Sequence, residues 1–328
     1  MKVGHLNGGL IAGLLLALAL ATTVGEASFS ADQYVQALRD WGSAPGEILW
    51  QVRAPRAVAA AITGGALGLA GAILQGLLRN PLADPGVLGV SACSAFLASL
   101  AIVAGWALVP GVVEGAAWIG ALVCGAALAM FTARVREPEA LILFGVALSS
   151  FFGAATALVF NLSPSPIATA EVLGWLMGSV EARSWIDAAW SMPALALATF
   201  LAMKSAPALR MLTLGELAAE ASGLAMGRLK MAAVLGASLA TGAAVALAGV
   251  IGFVGLAAPH LVRSAAREDP GRLLVPATLA GAMMLVVADL LARMIPTDQE
   301  LKLGVLTALI GAPLFAMIAW RAARSWRA

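Results

Sequence analysis

Charge is what this sequence has least of. Asp, Glu, Lys and Arg make up 12% of its 328 residues, while 61% are hydrophobic and the mean hydropathy is +0.92. A soluble domain carries about 25% charge. This chain cannot wrap an apolar core in a polar shell, so lipid has to be its solvent. Lysine is rarer still: Lys2, Lys204, Lys230 and Lys302 each follow Met or Leu. No Gly-Lys step exists, so the phosphate-cradling loop G-x-x-x-x-G-K-[ST] is absent. Any ATP-driven work has to come from a partner. Cys93 and Cys124 sit in apolar runs and imply neither a disulfide nor a metal site. His5 and His260 have no Cys, His or Glu at ligand spacing. Ser91 could pair with His260 in a membrane enzyme, but the G-x-S-x-G elbow is missing.

Uninterrupted apolar sequence is what abounds. Charge-free runs cover 3–25, 57–78, 85–113, 115–133, 140–170, 231–262 and 303–320, with shorter ones at 188–203 and 273–288. A bilayer core about 30 Å thick takes ~20 helical residues, so 57–78 is one crossing. The run 231–262 is too long for one and reads as two, with a break near Gly249 and Gly252. About ten spanning helices result, with no composition shift or linker among them. The expectation is an all-α integral membrane protein in which residues 1–328 form a single transmembrane domain. A porin-like barrel would need period-two alternation in ~10-residue segments, and none occurs. Residues 1–30 share the layout of a secretory signal peptide, through Val24, Gly25, Glu26 and Ala27. Their apolar run is long for one, and an uncleaved first span is expected.

With the N-terminus inside, fourteen of the 20 Lys and Arg fall on the cytoplasmic side: Lys2, Arg79, Arg134, Arg136, Lys204, Arg210, Arg228, Lys230, Arg263, Arg267, Arg272, Arg321, Arg324 and Arg327. Six fall outside: Arg39, Arg53, Arg56, Arg183, Arg293 and Lys302. Basic residues favour the cytoplasmic side. This orientation puts both termini in the cytoplasm and leaves the outer arginines in need of a purpose. Lipid supplies no hydrophobic drive between helices, so small residues have to pack them; Gly64, Gly68 and Ala72 form one such face. A weak echo at an offset of 178 pairs Gly64, Gly71 and Pro81 with Gly242, Gly249 and Pro259, and duplicated halves are common in transporters. Asp289 has Arg293 four residues on as a helix partner. No buried chain of Asp, Glu or His suited to proton coupling is present.

Between two apolar runs lies RNPLADPGVLG, residues 79–89. Pro81 stops the preceding helix and restricts Asn80. Asp84 is a helix cap, and Pro85 fits the first helical position. A tight cytoplasmic hairpin follows, with Arg79 at the lipid headgroups. Capping accounts for Pro81, Asp84 and Pro85 but not for Asn80 or Leu82. A second polar stretch, LTLGELAAEASG at 212–223, places Leu212, Leu214, Leu217 and Ala218 with Glu216 and Glu220. It reads as a short amphipathic helix within the cytoplasmic segment of about 210–228.

RAPRAVAAAITGGALGLAGAILQGLLRNPLADPGVLGVSA, at 53–92, resembles the signature of the iron-complex and cobalamin permeases of type II ABC importers. The likeness continues in MLTLGELAAEASG, LAGVIGFVGLAAPHLVR and VADLLARMIPTDQELKLGVLTALIGAPLF, in order over nearly the whole chain. The resemblance implies a ten-helix permease that works as a homodimer in the bacterial inner membrane. Two cytoplasmic ATPases would bind ATP and Mg, no cofactor sitting in this chain, and a periplasmic binding protein would deliver substrate. It assigns Asn80, Pro81 and Leu82 to a cytoplasmic gate, with Glu137, Pro138 and Glu139 at the companion loop. Relatives can carry small hydroxylated residues there, a departure from the pattern. It assigns Arg53, Arg56 and Arg293 to docking acidic residues of the binding protein, for which arginine forks are suited. Interfacial snorkelling is the plainer reading of these arginines. It makes 212–223 the coupling segment to the ATPase, through Leu214, Glu216 and Ala218, with Gly215 and Gly223 setting its bends.

A pathway lined by Phe144, Phe151, Phe152 and Met177 would suit a large metal chelate. Ferric siderophore is the first expectation for the cargo, with haem and cobalamin as the others. A secondary transporter driven by an ion gradient is the competing reading, and a membrane enzyme the third. Nucleic acid is not an expected partner.

Overall fold

A computed structural model describes residues 3–25, 27–135, 137–295 and 300–325. Lys2, Glu26, Arg136 and Arg327 lie outside the described residues. The helices are α1 (Val3–Thr23), α2 (Ala31–Arg39), α3 (Ala44–Glu47), α4 (Ala54–Leu77), α5 (Val90–Val103), α6 (Val112–Arg134), α7 (Pro138–Asn161) and α8 (Pro166–Leu176). There follow α9 (Trp185–Leu212), α10 (Glu216–Ala221), α11 (Met226–Ala248), α12 (Val254–Val262), α13 (Pro270–Met294) and α14 (Leu303–Ser325). A π-helical stretch, Ile48–Arg53, joins α3 to α4 without a break. Among the described residues there are no strands.

Seven of these helices are long and apolar enough to cross a bilayer. Two further apolar stretches, α5 and the first part of α14, are shorter, and α12 has only nine residues, so the helix count agrees roughly with the expected ten. The centre is α4, flanked by α13, α11, α12 and α9, and it is buried over most of its length. Glycine makes that packing possible. A Cβ on Gly64 would run into the Gly281 carbonyl, one on Gly68 into the Ala277 carbonyl, and one on Gly71 into the Gly255 carbonyl. These close backbone approaches are how helices associate where hydrophobicity gives no preference for protein over lipid. By contrast α1 and α7 are apolar yet largely uncovered within the single chain.

The run 231–262 breaks where glycine predicted. α11 ends at Ala248, Gly249 takes φ +72°, and α12 restarts only after Phe253 at φ +67°. Non-helical backbone at membrane depth is tolerated only where other groups satisfy it or a cavity receives it. Both conditions hold: Ser179 N donates to the Ala248 carbonyl at 2.8 Å, and Val250 and Gly252 border two cavities. Of the residues in the 178-residue echo, Gly64 and Gly71 lie in α4 and Gly242 in α11, while Pro81 lies in the hairpin and Pro259 inside α12. α4 and α11 are each mostly buried and each lead through irregular backbone into a short helix, of 14 residues in α5 and 9 in α12. The helix α8 was not expected. Pro166 opens it, and Ala168, Val172 and Trp175 pack it against Ala98, Ile102, Val113, Ala117 and Ala246.

Candidate functional site

The ends of the bundle carry its polar structure. At one end lies the hairpin after α4. Arg79 turns the chain at φ +49°, and Asn80 N donates to the Gln75 carbonyl at 3.2 Å. The Asn80 side chain accepts from Leu82 N at 2.9 Å, an Asx turn. Asn80 therefore has a structural task that the cap argument overlooked, while Leu82 still has none. Asp84 accepts from Gly86 N at 2.7 Å, and burial raises its pKa against the pull of that amide. It caps the 3-10 turn Pro85–Leu88 rather than an α-helix; α5 begins only after Gly89, at φ +84°. The turn is seated on α7, where Gly145 leaves room for Leu88 and Ser149 Oγ donates to the Val87 carbonyl at 3.1 Å.

Glu137 and Glu139 are exposed at the start of α7, with Pro138 as its first residue. No hydrogen bond or ion pair among the described residues joins 137–139 to 80–82.

At the same end α9 runs into the 212–223 stretch. Leu212 is buried as the last residue of α9, so the short helix is α10 alone, six residues long. Gly215 and Gly223 flank it at φ +98° and +80°. Leu214 and Leu217 are 69% and 83% exposed, and Ala218 is exposed beside them. Glu216 is not free: Lys230 Nζ on α11 donates to its Oε1 at 2.5 Å. The Leu face, rather than the acid, is what this segment offers to another molecule.

The opposite end holds the arginines, and they are engaged inside the chain. Arg53 is buried and donates to the carbonyls of Thr23, at 2.9 Å, and Ala27, with its guanidinium 4.7 Å above the Phe29 ring. Arg56 grips Asp289 through Nη2 at 2.7 Å and holds Glu300 through Nη1 at 2.9 Å and Nη2. Arg293 donates to the Ala21 and Val24 carbonyls at 3.1 Å and faces Asp289 Oδ2 at 3.1 Å. Asp289 is wholly buried. Its helix neighbour Arg293 was legible in the sequence; Arg56 and Glu300 were not. These contacts tie α1, α4 and α13 together within the chain.

Between the ends, two cavities flank the broken helix. One of about 460 Å³ is lined by Gly86, Ser91, Gly153, Thr156, Phe160 and Ile251 among others. The other, about 500 Å³, is lined by Leu176, Met177, Val250, Gly252, Gly304 and Leu309 among others. Of the four expected pathway residues, Met177 lines a cavity. Phe144 is stacked on Phe131 at 4.4 Å, Phe152 sits 5.7 Å from Phe96, and Phe151 is 66% exposed on α7. The α7 face that reaches the first cavity is Gly153, Thr156, Ala157 and Phe160. Its i, i+3, i+4, i+7 spacing was the signal available. Ser91 and His260 make no hydrogen bond to each other, and no group of His, Cys, Asp or Glu suited to a metal exists among the described residues.

A bundle of long apolar helices with a broken helix beside apolar cavities, and polar caps at both ends, is a transmembrane permease with the type II ABC importer fold. The chain belongs to the FecCD transport family, whose model matches residues 13–321. It is 38% identical over 286 residues to the uncharacterized ABC transporter permease protein YvrB of Bacillus subtilis, covering 85% of this chain and 80% of that one. It is 37% identical over 314 residues to the vitamin B12 import system permease protein BtuC of Salmonella typhi, covering 95% and 93%. BtuC of Vibrio cholerae is 40% identical over 282 residues, 84% and 83% of the two chains. Among solved structures, a metal-chelate type ABC transporter in an inward-facing conformation superposes with a TM-score of 0.84 at 30% identity. That match covers 97% of this chain and 99% of the other.

Proposed function

We propose that this chain is the membrane subunit of an ATP-driven importer for a metal chelate. Two copies form the pathway, two cytoplasmic ATPases bearing ATP and Mg drive it, and a periplasmic binding protein supplies the cargo. The hairpin end and both termini face the cytoplasm, and the arginine end faces the periplasm. Asn80, Pro81 and Leu82 meet their symmetry mates as a gate, and the Leu214–Leu217–Ala218 face seats in the ATPase.

The observation that carries this reading is the lining of the two cavities. It is apolar or weakly polar throughout and contains no ionisable side chain. A proton- or ion-coupled carrier concentrates such groups at its substrate site, and these two cavities do not offer them. An undemanding wall also suits a large chelate that a binding protein has already selected. The B12 relatives make cobalamin the first cargo to test, ahead of ferric siderophore and haem.

The arginine end is where the binding protein docks. Arg56 and Arg293 face Asp289, Arg56 also holds Glu300, and Arg53 bonds to main-chain carbonyls, so among the described residues of this cluster cations outnumber carboxylates, which favours an acidic partner surface. The test is to isolate the cognate ATPase and binding protein with the permease. The reading expects a stable complex and a binding protein whose absorption spectrum reveals a bound chelate. A binding protein that carries no metal chelate when isolated would overturn it.

A further inference from the structure

The hairpin is held by one side chain that neither capping nor the gate residues explain. Gln75 lies two residues before the end of α4 and is 2% exposed. A buried amide is tolerated only when its bonds are satisfied. Its Nε2 donates to the Ala83 carbonyl of the hairpin and to the Leu256 carbonyl of α12, each at 3.4 Å. Its Oε1 accepts from Arg263 Nη2, at the end of α12. The Gln75 backbone carbonyl takes Asn80 N as well. One residue therefore fixes the hairpin at both ends, residue 80 through its main chain and residue 83 through its side chain.

The same node leads to the coupling segment. After Arg263 the chain turns through Arg267 and Glu268, both at positive φ, and Glu268 N returns to the Arg263 carbonyl at 3.1 Å. Next comes Asp269, which caps α13 through Gly271 N and Arg272 N and takes Arg210 Nε at 3.0 Å. Arg210 lies in the last turn of α9, directly before 213–215 and α10. Packing reinforces the route, since a Cβ on Gly255 would meet both the Pro85 ring and the Leu67 carbonyl. The Arg263 Nε has no partner, so this guanidinium has bonding capacity left for a second arrangement.

We propose that Gln75 and Arg263 form a latch that ties the position of hairpin 80–83 to α12 and, through Asp269 and Arg210, to the coupling segment. Gln75 acts as a positioning residue: it touches no cargo and sets where Leu82 stands. The latch rests on the gate reading given above, in which motion at the coupling segment opens or closes the hairpin. A discrete bond arrangement that both sites bias is what such coupling requires.

The experiment uses the full permease–ATPase complex with Leu82→Cys, scored for cross-linking between protomers with and without ATP. Cys93 and Cys124 are both buried and leave the background quiet. In the otherwise unaltered complex, cross-linking should change with nucleotide. Gln75→Met keeps the volume and removes all three bonds; the nucleotide dependence should collapse while dimerisation persists. ATP hydrolysed per chelate imported should rise on the order of tenfold. Gln75→Glu keeps the Arg263 bond but cannot donate to Ala83 or Leu256, and should show the same loss, which covers failure of the Met variant to fold. Nucleotide-dependent cross-linking that survives both substitutions would overturn the latch and leave the gate standing. Cross-linking absent in every state without either substitution would overturn the gate, and the latch with it.

Discussion

Arg56 and Asp289 stand 233 residues apart in the chain, yet the guanidinium edge of one grips both oxygens of the other, Nη2 at 2.7 Å and Nε at 3.0 and 3.2 Å. The pair joins the start of α4 to the far end of α13, which the glycine contacts press together along their length. Removing one partner of a buried pair leaves an uncompensated charge and costs about 3–5 kcal/mol. Asp289→Asn should therefore lower stability by roughly that amount, measured by denaturant unfolding in detergent. A loss below about 1 kcal/mol would show that Glu300 and water can replace Asp289.

Glu300 occupies the outer fork of Arg56, the geometry an incoming carboxylate would need. Glu300→Gln should free that fork. Binding-protein affinity should then rise roughly three- to tenfold, with a steeper dependence on salt. Surface-binding measurements at two ionic strengths decide it, and weaker docking would place the partner elsewhere.

Two glycines in the membrane should answer oppositely. Gly71→Val pushes against the Gly255 carbonyl, whereas a Cβ at Gly153 meets nothing within 4 Å. The first should cost at least about 1–3 kcal/mol and disturb the hairpin through α12. Gly153→Ala should fold normally, and as a cavity-lining change it should alter uptake more than stability. Equal tolerance at both sites, read from melting curves, would contradict the packing described.

At the coupling segment, Leu217→Asp is the clean probe because its side chain is 83% exposed. Insertion and dimerisation should be unaffected, while stimulation of the ATPase by loaded binding protein should be lost. Glu216→Arg would instead break the Lys230 pair and set two cations together, so its effect would mix folding with coupling. Stimulation that persists in Leu217→Asp would remove the segment from the ATPase interface.

The sequence announced the crossings wherever charge brackets an apolar run, as Arg56 and Arg79 bracket 57–78. Gly249 announced the break because its backbone freedom has little other use inside a helix. The helix α8 stayed hidden: Ala168 and its neighbours continue a charge-free run that passes for the tail of a spanning helix. The short coupling helix was overestimated because Leu212 shows the same apolar spacing whether it ends α9 or begins α10. The arginine partners were illegible for a different reason. Asp289 and Glu300 look like ordinary ends of a span, and only folding brings them to Arg56. Of the four expected lining residues Met177 borders a cavity, while the phenylalanines drew attention from the smaller Gly153, Thr156 and Ala157 that line the other.

The most direct test of the central claim is cargo uptake into proteoliposomes holding permease, ATPase and binding protein. A cobalamin or ferric-siderophore probe outside and ATP inside, with ion gradients collapsed by ionophores, isolates the energy source. The account predicts uptake that depends on ATP, survives the ionophores and disappears in Leu217→Asp. Uptake that follows an imposed ion gradient and proceeds without ATP would contradict it.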